Sequence, residues 1–492
     1  MGRKQDFLKL VVDRGATPFT LKGLYLITDH GEMLVERVRR ALGANICALQ
    51  YRNKNKKDAH WFTTANDLKQ LCIKLKVPFI MNDDPVLAME LNADGLHLGQ
   101  EDGDPAEARR LMGPGKIIGV TAHNLDEALR AQASGADYIG FGAMYPTESK
   151  EIRHLPGPGT LAKIRKKIKV PIVAIGGINR DNAGPVIDGG ADAIAVISSV
   201  LESREPEVAA AELSLLFNRK MEYPRGKVLT IAGSDSGGGA GIQADLKTIT
   251  LLGSYAASVI TALTAQNTRG ISGIFDPPPA FVAEQLNAVL SDIPVDVVKT
   301  GMLFSPEIIK VVVEKLREYG RRIVVVDPVM TAKGGSSLLT RESLIVLKER
   351  LIPLSYLLTP NIPEAERLTG LTINGQTGME EAARALNRMG ARNVLIKGGH
   401  LSEGKSLDIL FDGSSFVHYP APRFLTKNSH GTGCTLASAI AAFLAMGKTL
   451  PDAVSKAKDY VTLAIKLAHP MGKGYGPVNH FLAARELKDR KR

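Results

Sequence analysis

Residues 24–53 read LYLITDHGEMLVERVRRALGANICALQYRN. The stretch opens on a short apolar run, LYLITD (24–29), and closes on another, CALQYRN (47–53). Between them MLVERVRRALG spaces its apolar residues three and four apart, the period of a helix with one buried face. The same alternation continues through PFIMND (78–83), GLHLGQ (95–100), IIGVTAH (117–123), YIGFGAM (138–144), PIVAIGGI (171–178) and AIAVISSV (193–200). Helical stretches such as LDEALRAQASG lie between most of them. The runs are nearly all apolar, as strands covered on both faces must be. Strands that alternate with helices imply a parallel sheet, and eight such units between residues 24 and 200 predict a (β/α)8 TIM barrel within an α/β chain.

The polar residues of these runs gather at their C-terminal ends: Gln50, Arg52, Asn82, Asp83 and Asp102. Any one of them could simply cap the next helix. Five on one rim point to the mouth where barrels of this kind keep their sites. Asp83 and Asp102 are two carboxylates on that rim, a set suited to Mg²⁺ and phosphate oxygens. Arg52, Lys54 and Lys150 stand where they could neutralise a pyrophosphate. Gly176–Gly177 after the seventh strand and Ser198–Ser199 on the eighth suggest a second, smaller phosphate site. No protein nucleophile stands out there.

After residue 200 the punctuation changes. A charged helical join ends in MEYPRGK, and the boundary is placed between Arg219 and Lys227. The expected division is 1–222, with a leader at 1–22 and the join at 201–222, and then 223–492. The second part opens with the strand VLTIAGSD and continues with VDVVKTGML, RIVVVDPVM, YLLTPNIPE and NVLIKGGH. That is an α/β layered domain whose strand order the sequence leaves open. GSDSGGGAGIQAD (233–245) is a glycine-rich turn but no Walker loop. HGTGCTLASAIAAFLAMG (430–447) is more telling. A glycine turn opens a long apolar helix, so free N–H groups converge on one spot as an anion hole. Cys434 lies in its first turn, where the helix dipole is expected to lower the thiol pKa.

Composition bounds the rest. The net charge of +11 is dispersed, its largest groups being KNKK (54–57) and KIRKKIK (163–169), and aromatics make up only 5%, too few for a base-stacking surface. Phosphorylated small molecules fit that charge better than nucleic acid. No apolar run reaches the roughly 20 residues of a membrane span, and the start has no signal-peptide h-region. Cys47, Cys72 and Cys434 form no CxxC pair. The expectation is a cytoplasmic enzyme with small-molecule partners, without nucleic acid or membrane, and open to homo-oligomerisation.

The first half resembles thiamin-phosphate synthase through YLITD, the Gln50-x-Arg52-x-Lys54 triplet, MNDD, GLHLGQED, DYIGFGAMYPTESK and PIVAIGGI. That family joins hydroxymethylpyrimidine pyrophosphate to thiazole phosphate and releases pyrophosphate. The resemblance implies that Gln50, Arg52, Asn82 and Lys150 serve the pyrimidine pyrophosphate, Lys150 as a catalytic group, with Lys54 and Thr121 as further substrate-binding candidates. It implies that Asp83 and Asp102 hold Mg²⁺, and that Thr147, Ser149, Gly177, Ile197 and Ser198 meet the thiazole phosphate. Two positions depart from the family: Asp84 stands where Arg is usual, and Ser149 where Thr is usual.

The second half resembles hydroxymethylpyrimidine/phosphomethylpyrimidine kinase, of the ribokinase-like superfamily. The ordered segments are GSDSGGGAGIQADLKT, TALTAQNT, KTGML, VVVDPVM, LTPNIPEAERLTG, LIKGGH and NSHGTGCT. The resemblance places Gly233, Asp245, Gln266 and Met302 around the pyrimidine. It gives Gly431, Thr432, Gly433 and Cys434 to the γ-phosphate, with Cys434 where relatives carry an aspartate base. Asp327 and Glu364 would lie near Mg²⁺, and Asn361 and Lys397 near the phosphates of ATP. The two activities share an intermediate. Two other readings remain open at this point: a pyridoxal-type kinase fused to an unrelated phosphate-binding barrel, and a non-catalytic sensor of the thiamin pathway.

Overall fold

The computed structural model describes residues 21–44, 46–53, 60–147, 155–331, 339–399 and 405–490. The chain separates into two compact units between Phe217 and Asn218.

In the first unit, β1 (Gly23–Ile27), β2 (Ile46–Tyr51), β3 (Phe79–Asn82), β4 (Gly95–Leu98), β5 (Ile117–Ala122), β6 (Tyr138–Gly142), β7 (Ile172–Ile175) and β8 (Ala193–Val196) pair in chain order. β1 also pairs in parallel with β8, which closes the barrel. The expected fold is present. Each strand serves two cores at once. Tyr25, Ile27, Ala48, Ile80, Tyr138, Val173, Ala193 and Ala195 fill the interior. Leu24, Leu26, Leu49, Phe79 and Ile118 belong to the layer under the surrounding helices. Alternation between two apolar compartments explains why the strands read as continuous apolar runs.

Two expectations need correction. The join after residue 200 is helical as expected, but it is part of the barrel rather than a charged linker. Helix Pro206–Leu215 buries Val208, Ala209, Ala210 and Leu213, and with Leu216 and Phe217 it joins the barrel's outer core. Its charged residues had drawn attention away from an almost wholly apolar middle. Ser198 and Ser199 are also not on the eighth strand: β8 ends at Val196 and Ser198–Leu201 form one helical turn.

The second unit is a nine-stranded sheet. Its strands are β9 (Lys227–Asp235), β10 (Tyr255–Asn267), β11 (Gly270–Phe275), β12 (Val297–Thr300), β13 (Val324–Val326), β14 (Leu357–Leu358), β15 (Asn393–Ile396), β16 (Lys405–Phe411) and β17 (Phe416–Pro422). The order is β11-β10-β9-β12-β13-β14-β15-β16-β17. The strands from β10 to β15 run parallel, and antiparallel pairs flank them. The sequence reading had missed β10, β11, β16 and β17 as strands. β11 and β17 expose most of their residues, so they carry little apolar signal.

Helix Thr432–Ala445 is buried along its whole length from Thr435 onward. It meets helix Gly241–Leu252 and the sheet around one polar knot. Lys299 Nζ on β12 and Asp245 are fully buried and bond at 2.8 Å. Thr230 Oγ1 on β9 and Ser438 Oγ donate to the same carboxylate, each at 2.6 Å. Asp245 therefore ties two strands and two helices together. Lys299→Met should destabilise this unit by about 3–5 kcal/mol, the cost of leaving a buried partner uncompensated. Lys299→Met with Asp245→Leu should recover most of that loss. Urea unfolding followed by circular dichroism checks both, and a double variant as unstable as the single would contradict the account.

Candidate active sites

The barrel mouth gathers residues from the ends of several strands. Gln50 is buried at the end of β2 and donates through Nε2 to Asn82 Oδ1 at 3.3 Å. Asp83 follows Asn82 with a left-handed backbone (φ 61°), and its N–H donates to His97 O at 2.9 Å. The Asp83 and Asp102 side chains lie within hydrogen-bonding reach of each other. Burial and that second carboxylate raise the Asp83 carboxyl to about 6. Asp102 Oδ2 also accepts from Gly99 N–H at 2.8 Å. Arg52 lies close enough to favour ionised Asp83, while burial disfavours its own charge. Two crowded carboxylates beside one guanidinium suit a divalent cation, which would relieve their repulsion.

Asp84, the departure from the family pattern, has a local job. Its Oδ1 accepts from Leu87 N–H and caps helix Pro85–Glu90. Thr121 lies near the end of β5 with its Oγ1 2.9 Å from His97 Nε2. Gly177 is left-handed (φ 61°) and packs on the backbone of Pro146, close to Thr147. Ile197 precedes the helical turn that Ser198 opens. Ser199 Oγ is buried without a hydrogen-bond partner among the described residues. Lys54, Ser149 and Lys150 lie outside the described residues.

In the second unit a cavity of about 790 Å³ runs along the C-terminal ends of the parallel strands. Gly233, Gln266 and Met302 line one region, and Asp327, Asn361, Glu364, Lys397 and Gly431–Cys434 line another. Lys397 Nζ bonds Asp327 Oδ1 at 2.8 Å and stands 3.9 Å from Glu364 Oε2. Burial opposes the Lys397 charge, but the two carboxylates outweigh it and raise its pKa. Glu364 is pushed up to about 7 by burial, with Asp327 adding to the shift and Lys397 opposing it. Asn361 and Glu364 also form a capping box for helix Ile362–Thr369. Gly431 adopts φ 82°, and a Cβ there would run into the backbone of Gly239. That turn aims the N-terminus of helix Thr432–Ala445 into the cavity, with Gly433 beside Lys397 and Asp327.

Two details, at Asp245 and Cys434, differ from expectation. Asp245 does not line the cavity, because its carboxylate is spent on Lys299, Thr230 and Ser438. As the absence of a Walker pattern implied, the glycine-rich turn spends its amides within the fold: the N–H groups of Gly237, Gly239 and Ala240 all donate to Asp235. The Cys434 thiol is not lowered but raised to about 11: burial dominates, Asp245 and Asp327 add to it, and nearby Lys299 and the Gly241 N–H oppose it. The reading also missed His430. Its Nε2 lies 3.0 Å from Asp235 Oδ2 and 3.2 Å from Gln266 Nε2, on the cavity wall. Its place immediately before the Gly431 turn was the available signal.

Both halves match known proteins. Residues 24–200 match the model for thiamine monophosphate synthase, and 235–479 that for phosphomethylpyrimidine kinase. The thiamine biosynthesis bifunctional protein ThiED of Geobacter sulfurreducens is 62% identical over 483 residues, 98% of this chain and 99% of the relative. The chain belongs to the bifunctional thiamine biosynthesis proteins. It joins a thiamin-phosphate synthase to a hydroxymethylpyrimidine/phosphomethylpyrimidine kinase. The kinase unit alone is 50% identical to the hydroxymethylpyrimidine/phosphomethylpyrimidine kinase of Bacillus subtilis over 256 residues, 52% of this chain and 94% of that one. A Bacillus subtilis pyridoxal kinase solved with ADP aligns at 36% identity and a TM-score of 0.49, covering 53% of this chain and 99% of that one. Among the described residues no helix is long and apolar enough to cross a membrane.

The crowded pair in the synthase mouth has a measurable consequence. In EDTA, Asp83→Asn should unfold the barrel at a higher temperature than wild type, because the pair no longer repels. Excess Mg²⁺ should reverse that order. Trp61, the chain's single tryptophan, lies in the barrel and reports its melting by fluorescence.

Proposed function

We propose that the kinase cavity phosphorylates 4-amino-5-hydroxymethyl-2-methylpyrimidine and then its monophosphate from ATP. The barrel mouth joins the resulting pyrophosphate to thiazole phosphate, giving thiamin phosphate and pyrophosphate. One observation carries the reading: each site sets a carboxylate pair beside one cation, Asp83 and Asp102 with Arg52, Asp327 and Glu364 with Lys397. That combination suits phosphate oxygens shared between a metal and a basic side chain.

In the synthase, Asp83 and Asp102 would hold Mg²⁺, and Arg52 would meet the pyrophosphate. When bound, the ion offsets charge on the leaving pyrophosphate. Gln50 and Asn82, already bonded to each other, offer amide groups to the aminopyrimidine ring. Loss of pyrophosphate leaves a benzylic carbon that the ring's amino group can stabilise until the thiazole nitrogen attacks. Thr147, Gly177, Ile197 and Ser198, with Ser149, receive the thiazole phosphate, and Lys54 and Lys150 add positive charge on the pyrophosphate side.

In the kinase, Gly233, Gln266 and Met302 hold the pyrimidine. Asp327 and Glu364 would hold Mg²⁺, which screens charge on the transferring phosphoryl when bound. Lys397 and Asn361 meet the ATP phosphates, and the amides of Gly431, Thr432, Gly433 and Cys434 receive the γ-phosphoryl. A thiol raised to about 11 is protonated at neutral pH in the free protein, so Cys434 there shapes the anion hole rather than carrying a ready base. The substrates and products are small, phosphorylated and freely soluble, which suits the cytoplasm.

Incubation with hydroxymethylpyrimidine, thiazole phosphate and Mg-ATP should yield thiamin phosphate. Phosphorylation of pyridoxal with none of hydroxymethylpyrimidine would refute the kinase assignment. Asp83→Ala and Asp102→Ala should each abolish coupling and leave pyrimidine phosphorylation intact. Cys434→Ala keeps the backbone amide, so it should lower the kinase kcat by less than the about 10²-fold of a lost hole donor, with little change in pyrimidine binding. An unaltered kcat would reduce Cys434 to packing.

A further inference from the structure

Inside the barrel four polar side chains form a single file, of which only the outermost, Thr121, has so far been given a role. Tyr25 Oη on β1 is 2.8 Å from Tyr138 Oη on β6. Tyr138 Oη is 2.9 Å from His97 Nδ1 on β4. His97 Nε2 is 2.9 Å from Thr121 Oγ1 on β5. One end, Tyr25, is packed among Ile27, Ala48, Val173 and Ala195. The other, Thr121, is half-exposed near the C-terminal end of its strand, where the mouth begins.

The barrel makes room for this file. A Cβ at Gly119 would run into the Tyr138 ring, and one at Gly140 would come within 2.9 Å of His97 Cε1. The His97 and Tyr138 rings stack at 5.5 Å with 27° between their planes. His97 is thus held by its hydrogen bonds and by its packing.

Each hydroxyl carries one hydrogen, and so does a neutral imidazole. A file with one proton per group can run in two directions. In one, Thr121 donates to Nε2, Nδ1–H donates to Tyr138, Tyr138 donates to Tyr25, and the Tyr25 proton is left over. Tyr138 is the one hydrogen-bond partner of Tyr25 Oη among the described residues, so that proton would be stranded in the apolar interior. In the other, Tyr25 donates to Tyr138, Tyr138 to Nδ1, and Nε2–H to Thr121. The proton left over is then that of Thr121, at the half-exposed end. A stranded buried donor costs more than a spare lone pair, so the second direction wins. Burial holds both phenols well above the usual range, so both keep their protons at neutral pH.

We propose that His97 is a positioning residue of the synthase: held by Tyr25 and Tyr138 as the Nε2–H tautomer, it makes Thr121 a hydrogen-bond donor toward an acceptor atom of the pyrimidine pyrophosphate. The proposal rests on the synthase reading above. It explains why a histidine, two tyrosines and two glycines occupy an interior that apolar side chains could fill.

The first test needs no substrate. In the full chain labelled with ¹⁵N-histidine, the His97 signals are identified by their loss in His97→Gln. Nδ1 should be unprotonated and Nε2 protonated. A proton on Nδ1, or an imidazolium at neutral pH, overturns the proposal. The second test is coupling of supplied pyrimidine pyrophosphate to thiazole phosphate. Thr121→Ala should lower kcat/KM by about tenfold or more, the scale of one hydrogen bond to a charged group, and Thr121→Ser should restore most of it. Because His97 acts through Thr121, His97→Gln should add nothing in the Thr121→Ala background, and losses that multiply would overturn the proposal. Tyr25→Phe should reduce coupling severalfold while pyrimidine phosphorylation is unchanged; full coupling would show that the direction of the file does not matter. A wild-type chain that never couples sinks the synthase reading, while the tautomer still decides the chemistry of the file.

Discussion

A parallel strand covered on both faces leaves a polar side chain few places to go. Both units of this protein are built from such strands, and both show the consequence. Gln50, Asn82 and Asp83 stand at or just past strand ends in the barrel, as Asp327 and Lys397 do in the sheet. The strands also end where the following helices begin, so helix N–H groups face the same rim. Apolar burial places the chemistry by excluding it from everywhere else.

The exceptions show the same constraint from the other side. Three polar clusters that do lie inside are held by partners of their own. Asp245 and Lys299 are fully buried but bonded to each other, to Thr230 and to Ser438. Asp235 gathers three backbone N–H groups and His430. Tyr25, Tyr138, His97 and Thr121 form their own file. Asp83 with Asp102 and Glu364 with Asp327 are different in kind. Asp83 and Glu364 are raised by burial, with the charges of Asp102 and Asp327 adding to it, and each pair faces a mouth. Such pairs are costly for the free protein and favourable once a cation arrives.

The two halves are linked by their chemistry. The kinase adds phosphate to an alcohol and so turns a poor leaving group into a good one. The synthase then expels it. Each half sets a carboxylate pair beside one basic side chain, Asp83 and Asp102 with Arg52, Asp327 and Glu364 with Lys397.

Much of this was already written in the chain. The barrel was legible because its eight strands alternate with helices of clear period, and burial on both faces leaves little else in those runs. The rim residues were legible because they interrupt apolar runs at their ends. The outer strands of the kinase sheet were not, since β11 and β17 are largely exposed and lack an apolar period. Helix Pro206–Leu215 was misjudged because charge at its edges hid an apolar centre. What the tertiary structure alone decided is which polar groups meet. Asp245 looked like a pocket residue and is a buried tie, Cys434 looked like a lowered thiol and is a raised one, and His430 drew no notice but stands beside Gln266 on the cavity wall. Sequence specifies a residue's chemistry and its period along the chain; the solvent it loses and the charge it faces come from segments far away in sequence, and only folding brings those together.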